Sequence, residues 1–254
     1  MDVTGRTTPD PAADHVVANL LQYVASSKPA PHRKALYAGE PAGKAYLDRV
    51  GIPASGYTGG HIDPADVLIV GPTGGRTLAS SAPAIAEFIK AGGHLLAIGL
   101  DQDDARFLPF KIATKKTEYI TTTFEPFAAT SPFAGVGPAD LDNRDPRNIP
   151  LITSGGRIVG NGVLCAADQS NVMFCQLVPW QFEYEKQYNL KRTYRRASYA
   201  IVRVLANAGV AAPTPLLDRF AAPASDAKAP ARFLDGLYID KPEEWDDPYR
   251  FFCW

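Results

Sequence analysis

Paired acids are the first chemistry this sequence offers. Cleaving a glycosidic bond takes two carboxylates, one to protonate the leaving oxygen and one to act as nucleophile or base. Asp101, Asp103, Asp104, Glu125, Asp140, Asp142, Asp145 and Glu183 supply candidates, with Glu125, Asp140 and Asp142 as the catalytic set to test. Acid pairs also arise by chance in a chain with 27 Asp and Glu. Gly137 to Arg144 is denser, because it gathers Asp140, Asp142, Asn143 and Arg144 among turn residues. An Asp–Arg clamp that orders the loop is the simpler explanation. Asn143 and Arg144 stand as ligand or interface candidates.

Aromatic residues beside acids offer binding rather than bond-making. Pro179 to Tyr184 carries Trp180, Phe182, Glu183 and Tyr184. Rings stack on the apolar C–H face of a sugar, and carboxylates accept from its hydroxyls. The same rings suit docking of the Arg192, Arg195 and Arg196 ridge by cation–π and ionic contacts. The terminal run Trp245 to Trp254, with Tyr249 and Arg250, is too aromatic to float free, and its rings are expected to fill a groove. Trp180, Glu183, Tyr184, Arg192, Arg195, Trp245, Tyr249, Arg250 and Trp254 complete the ligand or interface set.

Other reactive patterns are missing. Gly71 to Arg76 (GPTGGR) resembles a phosphate-cradling loop but lacks the Lys-Ser/Thr of a P-loop and the GxGxxG spacing. A plain turn is the simpler reading, and a small-molecule sensor using this loop is the weakest of three functions considered. The exit Ile98-Gly99-Leu100-Asp101 places Gly99 or Leu100 where a nucleophile elbow would put Ser or Cys. Neither side chain can attack a carbonyl. His15, His32, His61 and His94 have no metal-ligand spacing and read as surface or loop residues. Cys165, Cys175 and Cys253 form no CxxC pair. Cys165 and Cys175 read as buried core thiols, with a bridge between neighbouring strands as the alternative.

The elements that position these groups follow from periodicity. Pro11 to Ser26 predicts a helix capped by Asp10, with Val16, Val17, Leu20, Leu21 and Val24 in one apolar stripe. KALYA (34–38) predicts a strand and residues 41–50 a helix. DVLIV (66–70) is a continuous apolar run, a strand buried on both faces. A helix over 81–91, capped by Ser80 or Ser81 and stopped by Gly92-Gly93, leads to the strand HLLAIGL (94–100). Strand, helix and strand with short links make a right-handed βαβ unit. Glu118 to Phe124 alternates as a strand, and 124–150 reads as irregular. Arg157–Ala166 and Asn171–Val178 predict an antiparallel hairpin. Lys191 to Ala208 predicts a helix with Tyr194, Ala197, Ile201, Leu205 and Ala208 on its apolar face.

Composition sets the outer limits. The 254 residues make one large domain or two small ones. A net charge of -1 excludes a globally basic nucleic-acid binder. No apolar run reaches the roughly 18 residues that cross a bilayer. The start of the chain has no basic or apolar leader, which argues for a cytoplasmic protein or a piece of a longer one. Residues 2–24 and 177–209 share a Thr/Arg stretch before an apolar helix with an Ala–Asn pair. That likeness makes 1–30 a linker and helix that would close a preceding repeat.

DVLIVGP followed by LASSAPAIAEFIKAGGHLLAIGL resembles the class I glutamine-amidotransferase-like fold. It is more specifically similar to the variants attached to large bacterial glycoside hydrolases, including the trimerisation domain of beta-galactosidases. Phe88, Ile89, Gly92, Gly93, Leu95 and Leu96 carry the match, which spans about residues 34–178. DVTGRT, FCQLVPW and DDPYRFFCW are similar to the C-terminal parts of large family 2-like sugar-binding glycoside hydrolases. The family's amidotransferases keep a Cys at the elbow and a later His–Glu pair, and neither stands at the matching places here. The resemblance therefore implies a non-catalytic module, in a parent protein that is secreted or periplasmic.

The fold expected is α/β: a doubly wound, mostly parallel sheet flanked by helices, flavodoxin- or amidotransferase-like. An antiparallel hairpin and an extended C-terminal tail are added to it. The α/β domain spans 31–210 and the tail 211–254. The leading function is an accessory or assembly domain of a carbohydrate-active enzyme, mediating domain or subunit contacts or glycan binding. A glycoside hydrolase using carboxylates between 101 and 145 is the alternative. No cofactor or metal is expected. The expected partners are other domains of the same polypeptide or a second copy, with carbohydrate as candidate ligand and neither nucleic acid nor membrane.

Overall fold

A computed structural model describes residues 11–26 and 32–210, apart from Arg144 and Gln169. These fall into two units, the helix α1 (Pro11–Ser26) and the chain from His32 onward. On α1, Val16, Leu20, Leu21 and Val24 of the expected stripe are exposed. Asp10, the terminal aromatic run and the whole tail lie outside the described residues. Among the described residues, no helix is long and apolar enough to cross a membrane.

The second unit is built on a seven-stranded sheet in the order β2-β1-β3-β4-β9-β8-β7. The strands are β1 (Ala35–Ala38), β2 (Ala54–Gly56), β3 (Val67–Val70), β4 (His94–Ile98), β7 (Arg157–Val159), β8 (Leu164–Ala166) and β9 (Val172–Cys175). The first five in that order run parallel, and β8 and β7 add an antiparallel edge. This is the doubly wound α/β class, with its winding reversed between β1 and β3. A separate two-stranded antiparallel sheet joins β5 (Ala113–Tyr119) to β6 (Arg147–Ser154).

Alternation along the strands makes two cores. Val67, Ile69, Leu96, Ile98, Met173 and Cys175 face one layer, with α2 (Pro41–Arg49) and α5 (Lys191–Asn207). Leu68, Val70, Leu95, Ala97, Val172 and Phe174 face the other, with α4 (Ala82–Lys90). From Val67 to Val70, Leu95 to Ile98 and Val172 to Cys175 the central strands are apolar at every position, because both faces are covered. Each fully buried Leu, Ile or Val contributes about 1.5–3 kcal/mol of hydrophobic stabilisation. Tyr194, Ala197, Ile201, Leu205 and Ala208 are the buried side of α5 and its end, as the spacing predicts. Helix α4 stops where Gly93 N–H bonds the Phe88 carbonyl (2.9 Å) and Gly92 N–H that of Ile89 (3.0 Å).

Several local expectations are corrected. Ser81 sits at the N-cap position of α4, but its hydroxyl makes no capping bond. The chain enters α4 from the 3-10 turn 79–81, so Ser81 lacks the extended backbone that capping needs. The strand expected at 118–124 lies earlier, at 113–119, and its partner β6 falls partly inside the stretch expected to be irregular. Pro150 sits within β6 because a two-stranded sheet leaves each strand an open edge. The run 157–166 is not one strand. Gly160, Asn161 and Gly162 take φ of 60°, 59° and 93°, and three left-handed residues break it into β7 and β8. Strand β2 was not foreseen, being only three residues of small side chains.

The hairpin of β8 and β9 forms, with Leu164 opposite Cys175 and Cys165 opposite Phe174. That register sends Cys165 and Cys175 into opposite core layers. Both thiols are free.

Candidate functional site

The carboxyl ends of parallel strands are where such sheets place ligands, at the point where the winding reverses. Here that point is occupied. Tyr37 of β1 is buried, and a Cβ added at Gly39, Gly43 or Gly71 would come within 2.5, 2.0 or 2.6 Å of its hydroxyl oxygen. The hydroxyl donates to the Glu40 carbonyl at 3.0 Å. The ring thus fills the crevice between β1 and β3.

The loop 71–76 is shaped by contact rather than by phosphate. Thr73 takes a left-handed φ of 67°, and a single helical turn, α3 (Gly74–Thr77), follows. A Cβ on Gly75 would lie 1.6 Å from the Asp104 carbonyl oxygen, so its glycine lets two backbones meet. Arg76 then pairs with Asp104, Nε to Oδ1 at 3.0 Å.

At the end of β4, Gly99 takes φ 65° and marks the corner where an elbow would turn. A Cβ there would meet Val178 Cγ2 at 2.3 Å. Valine from the neighbouring strand exit holds the space a nucleophile would need. The chain continues into Asp101, whose Oδ1 accepts N–H bonds from Asp103 (2.9 Å) and Asp104 (2.8 Å). A cleft of about 440 Å³ opens here, walled by the strand exits and by Thr114, Lys116 and Asn148 of the β5–β6 sheet.

A second cleft, of about 260 Å³, holds the aromatic candidates. Trp180, Glu183 and Tyr184 line it together with Phe182, Tyr46 and Arg49 of α2, and Tyr194 of α5. Trp180 follows β9 in a short 3-10 turn (Pro179–Gln181), and Pro179 sets its start. Its indole Nε1 donates to Glu40 Oε1 at 2.5 Å. The Trp180 ring lies 5.2 Å from that of Tyr46, and the Tyr184 ring 4.5 Å from that of Tyr194. Arg49 donates to the Tyr184 hydroxyl at 3.2 Å, and Lys186 pairs with Glu183 at 2.8 Å. Burial pushes the Tyr46 and Tyr194 hydroxyls above the ordinary phenol range, so both remain protonated donors. Tyr46 and Arg49 carried no signal in the sequence beyond lying on an amphipathic helix.

The catalytic candidates line neither cleft. Glu125 is exposed in the loop after β5. Asp140 accepts the Gly137 N–H at 2.8 Å, and burial raises its carboxyl above the usual range. Asp142 accepts from the Thr121 hydroxyl at 2.5 Å and lies 3.7 Å from Arg196. Asp142 is thus paired towards α5, and Arg144, the arginine of the clamp expected within 137–144, lies outside the described residues. Asn143 is buried, and its Oδ1 accepts the Asp145 N–H at 2.9 Å. Arg192 and Arg195 are half-buried on α5. Arg144, Trp245, Tyr249, Arg250 and Trp254 lie outside the described residues.

His15, His32 and His61 are exposed. His94 begins β4 half-buried, and burial lowers its pKa. Among the described residues, no group of three His, Cys, Asp or Glu could hold a metal ion. Gln176 went unremarked in the sequence, although a lone amide in the apolar run 172–178 was a usable signal.

The class defined by this architecture is a doubly wound α/β domain with an antiparallel extension. The chain matches no protein-family model, and no curated protein matches it.

Proposed function

We propose that this chain is a non-catalytic accessory domain of a multidomain carbohydrate-active enzyme, and that it binds glycan in the aromatic cleft between α2 and residues 180–186. The observation that carries this reading is the placement of Trp180. Its ring is half-buried against Tyr46, held by the Nε1 bond to Glu40, and sits in one cleft with Tyr184 and Glu183. Rings held this rigidly lose little freedom on stacking against a sugar. The packing of Gly99 against Val178 supports the absence of acyl chemistry at the strand exit. The glycosidase alternative draws less support, because Asp140 and Asp142 are engaged with Gly137, Thr121 and Arg196.

Affinity electrophoresis through a panel of soluble polysaccharides tests this, beside sedimentation of the chain alone. Retardation by at least one polysaccharide, weakened about tenfold in Trp180→Ala and in Tyr184→Ala, is expected, a loss of ~1.4 kcal/mol each. Retardation by none, in a chain that also stays monomeric, would remove both the glycan and the assembly forms of the reading.

A further inference from the structure

Helix α1 gathers its large apolar side chains on one side and leaves most of them exposed. Val16, Val17, Leu20, Leu21, Tyr23 and Val24 span about 160° of its circumference at 3.6 residues per turn. Val17 is half-buried, and the other five are exposed, from 42% at Val16 to 71% at Val24. A helix of 16 residues is marginal by itself in water. Its stability must come from whatever covers that side.

Helix α5 shows what kind of cover the pattern fits. Shifted by 181 positions, the six residues fall on Ala197, Ser198, Ile201, Val202, Val204 and Leu205, each 1% exposed or less. Asp14, His15, Gln22 and Ser26 fall on Arg195, Arg196, Arg203 and Asn207, none of them fully buried. Asn19, at the place of the buried Ala200, is the exception among the polar residues. Matching the Ala–Asn pairs of the two segments instead moves the register by seven residues, close to two turns, and turns the same side inward. Helix α5 belongs to the core layer over one face of the sheet, and its buried arc is correspondingly wide. A two-stranded coiled coil would need only a narrow seam.

A second copy of α1 is too small a partner. One side of a helix about 24 Å long and 10–12 Å across offers roughly 400 Å², half of the roughly 800 Å² that each partner gives to a stable interface. A domain linked in the same polypeptide needs no such area, because tethering supplies a high effective concentration. In the second unit the corresponding place is already filled by α5.

We infer that α1 is the interface helix for a further α/β domain of the same polypeptide, and covers the sheet of that domain in the place that α5 holds here. The inference stands whether or not the aromatic cleft takes glycan.

Hydrogen exchange read by mass spectrometry tests it, on this chain alone and on the native polypeptide isolated from its own cells. The native polypeptide should extend beyond Met1 into a further α/β domain. In the chain alone, α1 amides should exchange about a hundredfold faster than those of α5, at low and high protein concentration alike. In the native polypeptide the two helices should be protected to within about tenfold of each other. There Leu20→Asp should release the protection of α1 and of the preceding domain, whereas Gln22→Lys, on the outer side, should leave both intact. Slow exchange of α1 in the chain alone would overturn the inference, since its cover would then be this chain or a second copy. So would a native polypeptide that starts at Met1, a preceding segment without protected strands, fast exchange of α1 in the longer polypeptide, or unchanged protection in Leu20→Asp.

Discussion

Val178 stands where a side chain at Gly99 would have to go. The two residues come from adjacent parallel strand exits, β9 and β4, and a Cβ on Gly99 would lie 2.3 Å from Val178 Cγ2. Gly99 also carries a left-handed φ of 65°. Backbone conformation and space therefore exclude a side chain there independently.

This pair yields a stability prediction. Gly99→Ser should cost about 1–2 kcal/mol through the left-handed backbone and a further ~1–3 kcal/mol through overpacking. Adding Val178→Ala should recover the packing part alone. Urea denaturation of the two single variants and the double variant measures the coupling. A Gly99→Ser variant as stable as wild type would show that the corner has room.

The loop 71–76 makes a different prediction. At Gly75 the added Cβ would lie 1.6 Å from a backbone oxygen, that of Asp104, which cannot rotate away. Gly75→Ala should separate the 74–77 turn from residues 104–107, undo the Arg76–Asp104 pair and cost ~3 kcal/mol or more. Nucleotides and sugar phosphates should not raise the melting temperature of the wild-type chain. A clear upward shift with either would restore the phosphate-loop reading.

Burial raises the Cys165 thiol to about 11 and the Cys175 thiol to about 12, against an ordinary value of 9.0. In a Cys253→Ser background, neither should react with a thiol reagent at neutral pH until the protein unfolds, because the thiolate is the nucleophile. The sign of the pH dependence follows. Folded thiols keep protons that unfolded ones lose, so stability present below pH 9.0 should decline as pH rises towards 12. Urea midpoints across that range check the direction. Rapid labelling of the native protein would show that one thiol is accessible.

The helices and central strands were readable because each is governed by its own neighbours. The stripe Tyr194, Ala197, Ile201 and Leu205 has helical spacing, and Val67 to Val70 is apolar throughout, so burial follows from pattern alone. The β5–β6 sheet was legible only in part. Its strands pair residues as far apart as Tyr119 and Arg147, or Ala113 and Ser154, and Pro150 disguises one of them. Gly160-Asn161-Gly162 was a usable turn signal between the apolar pairs Ile158-Val159 and Val163-Leu164, and its three left-handed residues are what divide the run.

The candidate sites divide along the same line. Residue type and order placed Trp180, Glu183 and Tyr184 in one segment and Gly99 at a strand exit. Local pattern alone could not bring Tyr46 and Glu40 to Trp180, or set Val178 against Gly99. Nor could it turn Gln176 towards a carbonyl 76 positions away while leaving its oxygen unmatched. Periodicity reports which side of an element seeks burial, through free energies set within a few residues. Which distant side chain fills a given space depends on strand order and register, and those are settled when the whole core closes at once.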